Sequence, residues 1–154
     1  MALREQLNDA VKIAMKARDA KRLGTLRLIQ ANIKDKDIAG RTAESRDGIS
    51  DDEILALFGK LIKSREDSIA LYEQGGRPEK AAAERDEIAI LREFMPRQLD
   101  EAETKAAVAA IVAETGATSL KDMGRVMAAL KERHAGSMDF AKAGALVKAQ
   151  LGGK

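Results

Sequence analysis

Six cations toward the end of the sequence are the residues best placed by type and spacing to do chemistry: Lys121, Arg125, Lys131, Arg133, Lys142 and Lys148. That chemistry is binding rather than bond-making. Lysine and arginine side chains hold a phosphate backbone by releasing its counterions, and they read no base in doing so. Met123, Val126 and Met127 recur at helical spacing, so if they face a core then Arg125 faces water. A second basic set lies near the start, where Lys12, Lys16, Lys21, Arg22, Arg27, Lys34 and Lys36 outnumber Asp19 and Asp35. The alternative for both sets is a solvated helix surface with no ligand. No aromatic residue is interleaved with either set, which argues against stacking on single strands.

Constellations for catalysis are scarce. His134 is the one histidine, in a charged stretch at a helix end. As a general base it would need an orienting partner and a pocket; otherwise it is a solvated surface side chain. There is no cysteine, which excludes disulfides and thiolate ligands, and one histidine does not support a zinc site. No glycine-rich loop follows a strand, and Gly75-Gly76 and Gly152-Gly153 suit the ends of helices. The carboxylates are spaced for surface ion pairs, as with Lys63 and Asp67 at i, i+4. Glu87 or Glu93, near the joint, is expected to be partly buried and to meet Arg85, Arg92 or Arg97, the alternative being a catalytic role. Met95, Met123 and Met127 suit a core better than a binding surface. No metal, catalytic residue or cofactor is assigned.

The elements that must position these residues are helices. Alanine, leucine, lysine, arginine and glutamate dominate, aromatics make up 3%, and there are 2 prolines. This composition predicts an all-α chain. Leu3, Leu7, Val11 and Ala14 predict a first helix from about Leu3 to Arg18. Asp19 is an N-cap candidate for a second, striped by Leu23, Leu26, Ile29 and Ile33 and ending near Gly40. Residues 40–49 read as a loop. Ser50 and Glu53 make a capping box for a third helix carrying Ile54, Leu57, Phe58, Leu61, Ile69 and Tyr72. Pro78 suits the first turn of a fourth, with Ala81, Arg85, Ile88 and Leu91 on a narrower stripe. Short loops between the four suggest two antiparallel hairpins or a bundle.

Phe94-Met95-Pro96-Arg97-Gln98-Leu99-Asp100 is the joint. Pro96 removes a donor and pushes Met95 out of the helical region, so a helix ends near Glu93 or Phe94. Asp100 with Glu103 can start the next. The apolar residues here predict a packed joint, with an N-terminal domain at 1–95 and a C-terminal one at 96–154. Three further helices are expected. The first is Asp100–Thr115, ended by Gly116. The second is capped by Ser119 and carries Leu120, Met123, Val126, Met127 and Leu130. The third is capped by Asp139 and carries Phe140, Val147 and Leu151. Ala141, Ala143, Gly144 and Ala145 would let that last backbone pack closely.

Charge is uneven along the chain. Residues 1–48 hold 11 Lys/Arg against 7 Asp/Glu, residues 49–99 hold 8 against 11, and residues 100–154 hold 8 against 7. A basic hairpin beside an acidic one accounts for this without any ligand. The net charge of +2 is too small to imply nucleic acid alone. There is no run of 18 apolar residues to span a membrane. The charged N-terminus lacks the apolar centre of a signal peptide, so the expected location is cytoplasmic.

Five stretches stand in an order that resembles a known family: residues 25–35 (TLRLIQANIKD), 63–69 (KSREDSI), Gly76-Arg77, 94–99 (FMPRQL) with Glu103, and 121–127 (KDMGRVM). Together they are similar to the GatB/YqeY family, specifically its stand-alone YqeY-like members, over nearly the whole chain. The C-terminal part also resembles the tail domain of the B subunit of glutamyl-tRNA(Gln)/aspartyl-tRNA(Asn) amidotransferase. Gly124-x-Val126-Met127 and a later Gly, here Gly136, carry that likeness. The resemblance implies an all-α protein with a larger N-terminal helical unit and a small C-terminal three-helix unit. It also implies tRNA as partner, through the tail-like part. A protein partner in tRNA-dependent amidation or translation is the further expectation, with no DNA and no membrane. The family label is carbon–nitrogen ligase activity with glutamine as amido donor, but an ATP site and a glutaminase nucleophile are missing from this sequence. A helical protein-interaction adaptor is the alternative. The chain departs from the family at Gly136-Ser137-Met138-Asp139, where members often carry Gly-Arg-Ala-Asp. A phosphate contact at position 137 therefore does not carry over.

Overall fold

The structure, a computed structural model, describes residues 2–40 and 48–152. Among them are seven α-helices and no strand: α1 Leu3–Lys16, α2 Ala20–Ala39, α3 Asp51–Gln74, α4 Pro78–Glu93, α5 Glu101–Thr115, α6 Met123–Arg133 and α7 Phe140–Gly152. A single 3₁₀ turn, Leu120–Asp122, leads into α6. The chain divides into two compact units, Met1–Met95 and Pro96–Lys154. Most of the loop expected at 40–49 and the end of the Gly152-Gly153 pair lie outside the described residues.

Local chemistry accounts for the boundaries. α1 stops at Lys16 rather than Arg18, because Ala17 caps it and Arg18 turns left-handed at φ 56°. The Asp19 carboxylate then accepts from the Arg22 N–H and opens α2. Ser50 and Glu53 close a reciprocal capping box on α3, with the Glu53 N–H donating to Ser50 Oγ at 3.2 Å. Pro78 takes the first turn of α4, where its missing N–H would have had no helical partner.

In the N-terminal unit α1 packs on α2 and α3 on α4, with further contacts of α2 to α4 and α1 to α3. Leu7, Leu26, Ile29, Ile54, Phe58 and Leu91 are fully enclosed and form the centre of its core. Phe94 and Met95 pack against this core. α3 outruns it: Leu71 near its end is 68% exposed. Arg85 is not on α4's apolar stripe. It is exposed and pairs with Glu73.

In the C-terminal unit α5, α6 and α7 each touch the other two. Val108, Ile111, Val126, Leu130, Val147 and Leu151 form the core, and Leu99 packs against it. Phe94 and Met95 therefore serve one core and Leu99 another, so the apolar residues of the joint are not one cluster. The expected apolar stripe of the sixth helix loses its first member. Leu120 lies on the 3₁₀ turn, whose three-residue repeat swings it off the α6 face, and it is 49% exposed. On α7 the close approach narrows to Ala143 and Gly144, because Ala141 and Ala145 point to solvent. The methyl groups of Met123 and Met127 would lie 3.9 Å from a Cβ at Gly144.

Candidate nucleic-acid interface

Three features shape the C-terminal unit, and the second and third position the elements that carry the candidate cations. The first is the start of α5. Asp100 and Glu103 form a capping box, in which the Glu103 N–H donates to Asp100 Oδ1 at 2.7 Å. Arg97 grips the Glu103 carboxylate with both terminal nitrogens, at 2.9 and 2.5 Å. That grip, helped by the Asp100 N–H, holds the Glu103 carboxyl down at about 2.

The second is the entry to α6. Gly116 ends α5 in the left-handed region at φ 67°. Asp122 then accepts from the Thr118 N–H at 2.9 Å and the Ser119 N–H at 3.4 Å. These bonds, with Arg125 beside it, keep its carboxyl below the ordinary range. Lys121 sits on this turn.

The third is the turn from His134 to Asp139, which aims α7. Gly136 adopts φ 77° there, a conformation that favours glycine. The residues after Pro96 strap it down. Gln98 Nε2 donates to the Gly136 carbonyl at 2.6 Å, and the Leu99 N–H donates to the Ser137 carbonyl at 2.8 Å. Asp139 Oδ1 accepts from the N–H groups of Ala141 and Lys142, at 3.0 and 3.3 Å, and caps α7. The Ser137 hydroxyl donates to the His134 carbonyl at 3.1 Å, so position 137 is engaged within its own turn. The His134 ring is half-buried, and no hydrogen bond to it is found among the described residues.

All six candidate cations are exposed. Arg125 lies 3.3 Å from Asp122, and Arg133 is paired with Glu114 of α5. Lys121, Lys131, Lys142 and Lys148 have no side-chain partner among the described residues. The six do not converge on one point. Arg125 and Lys131 are six residues apart on α6, as are Lys142 and Lys148 on α7, so each pair straddles the exposed side of its helix at about 120°. Such a spread can meet an extended array of anions; it cannot cage a single small one.

Among the described residues the N-terminal unit offers a groove but no reactive set. The groove runs between α2 and α4 past Gly24, Thr25, Leu28, Ala83 and Ile90 and is open to solvent. On its rim Lys21 pairs with Asp86 at 2.8 Å, which raises the lysine's pKa. Glu87 is partly shielded and Glu93 is exposed, and their partners are not the expected ones. Arg65 of α3 takes Glu87 at 2.7 Å and approaches Glu84 at 3.9 Å, and Arg22 of α2 takes Glu93 at 2.6 Å. Nearness in sequence does not reveal these cross-helix neighbours. No group of three or more acidic or histidine side chains able to hold a metal is found among the described residues.

A family model, described as Yqey-like protein, matches residues 4–151. The chain belongs to the Yqey-like family. The match runs from the first turn of α1 to the last of α7, so both units are part of what defines the family. No curated protein matches the chain. Among the described residues no helix of this Yqey-like protein is long and apolar enough to cross a membrane.

Proposed function

We propose that this Yqey-like protein is a tRNA-binding accessory module, related through its C-terminal unit to the tail of the tRNA-dependent amidotransferase and without catalysis of its own. It would work in the cytoplasm beside a partner in tRNA-dependent amidation or translation. The observation that carries the reading is the set of exposed lysines without a carboxylate partner among the described residues, Lys121, Lys131, Lys142 and Lys148, on elements held by the Asp122 and Asp139 caps and the Gln98 strap. Arg125 and Arg133 join them only by exchanging a carboxylate for a phosphate. Recognition would rest on the shape and charge of folded RNA, since the one aromatic residue of this unit, Phe140, is packed against its core.

Fluorescence titration of the full chain with tRNA tests this. Affinity should fall steeply with salt, as expected when several phosphates are neutralised. No binding, or the same affinity for tRNA as for any polyanion, would sink it.

A protein-interaction adaptor is the second reading. The open α2–α4 groove, with Leu28 45% exposed beside it, favours that reading. Co-purification of a protein partner with no RNA would support it. Glutamine- and ATP-dependent amidation by the purified chain alone would overturn both readings.

A further inference from the structure

The first two helices carry a denser basic region than the six cations of the C-terminal unit. Between Ala10 and Leu28 the sequence holds Lys12, Lys16, Arg18, Lys21, Arg22 and Arg27 against a single carboxylate, Asp19. The structure divides them into two groups. Lys21 and Arg22 turn to α4 and close ion pairs with Asp86 and Glu93. Asp19 is taken up as the cap of α2. Lys12, Lys16, Arg18 and Arg27 are exposed, and their side chains have no partner among the described residues. α4 neutralises one side of this hairpin and leaves the other.

The α1–α2 packing places the remaining cations near one another. Gln30 Nε2 donates to Asn8 Oδ1 at 2.8 Å across the hairpin, which fixes the faces that meet. One turn nearer the hairpin's tip, α1 presents Lys12 and α2, running back, presents Arg27. Lys16 follows Lys12 by four residues on the same face, and Arg18 stands at the tip. Arg18 is also the one non-glycine residue of the described chain with positive φ, at 56°. That conformation is unfavourable for an L side chain and is ordinarily given to glycine or asparagine. A cation is held there against the local preference.

The arrangement selects its partner. These charges are strung along more than a turn of helix, which suits a polymer of anions. Neither helix contains an aromatic residue, so a ligand would be held by its backbone and not by its bases. Ile13 and Met15 are exposed nearby, but two residues apart they point to opposite sides of α1, and its apolar stripe is buried in the core. No face is left to lie on a bilayer.

We propose that the tip of the α1–α2 hairpin, through Lys12, Lys16, Arg18 and Arg27, is a second contact for the phosphate backbone of folded RNA. The proposal rests on the reading of this chain as a tRNA-binding protein.

The test titrates the full chain with tRNA across a range of KCl, using two sets of variants. In the hairpin, Lys12→Gln with Arg27→Gln should lower affinity about tenfold at low salt and reduce the salt slope by about two, with the melting temperature unchanged. Arg18→Gly should lower affinity about threefold while the melting temperature holds or rises, and Arg18→Lys should restore binding. A merely structural Arg18 would instead lose melting temperature on becoming glycine. Hairpin variants that bind like the parent with the parent's slope would overturn the proposal. If Lys131→Gln with Lys142→Gln and Lys148→Gln weakens binding in the same experiment, the tRNA reading survives without it. If only the hairpin variants weaken binding, the hairpin contact stands and the C-terminal site falls. Competition by polyglutamate or by phosphatidylserine vesicles as effective as by tRNA would overturn the RNA assignment. It would point to an acidic protein or a lipid surface.

Discussion

The two units place their charges differently. In the N-terminal unit, charged side chains are held across helices. Arg65 of α3, with its side chain only 11% exposed, reaches Glu87 of α4, Arg22 reaches Glu93, and Arg4 of α1 takes Asp37 of α2 at 2.6 Å. In the C-terminal unit Arg97 pairs with Glu103 at the start of one helix, the one pair that crosses helices among the described residues, Arg133 with Glu114, has both side chains about half exposed, and four exposed lysines have no partner among the described residues. An ion pair shielded between helices is part of how the helices fit, because removing one partner strands a desolvated charge. A solvated lysine contributes little to the fold and can meet a ligand at no structural cost. Pairing thus separates structural charge from available charge, and α2 carries both kinds.

Substitutions can break or sharpen this contrast. The core sets the upper end of the scale: Phe58→Ala should lower the unfolding free energy of the N-terminal unit by about 4 kcal/mol, measured by chemical denaturation. Leu99→Asp places a charge against the C-terminal core and should cost about 2–3 kcal/mol. An unchanged melting temperature would show that Leu99 is not packed. Arg65→Ala should cost about 2 kcal/mol by stranding Glu87, and Arg65→Met with Glu87→Leu should recover most of it. If Arg65→Ala is neutral, the cross-helix pairs are not structural and the contrast fails.

The smallest effect is at Glu103. Its folded pKa is depressed, so its stabilising contribution is present above the ordinary carboxylate range and is lost as pH falls toward about 2. Side-chain carboxyl NMR should follow this titration, and Arg97→Ala should move it upward. A titration in the ordinary range in the parent protein would mean that the Arg97 grip does not persist in solution.

Legibility followed the range of the interaction. Capping at Ser50 and Asp100, the proline starts and stops, and the glycine end of α5 involve residues within four positions of each other, so they could be read from the sequence. The partners of Glu87 and Glu93 lie 22 and 71 positions away, whereas nearness in sequence points to Arg85, Arg92 or Arg97. Leu120 was misplaced because a 3₁₀ turn and an α-helix share capping chemistry but not periodicity. Of the six candidate cations, exposure could be read for Arg125 from its apolar neighbours. The ties of Arg125 to Asp122 and of Arg133 to Glu114 needed coordinates.

The most direct measurement is the salt dependence of tRNA binding by the full chain, set against the variant with Lys121, Lys131, Lys142 and Lys148 all changed to glutamine. The expected result is a steep slope for the parent, a slope reduced by about three to four in the variant, and equal melting temperatures. Identical binding curves for the two proteins, or no tRNA binding by the parent, would contradict the account.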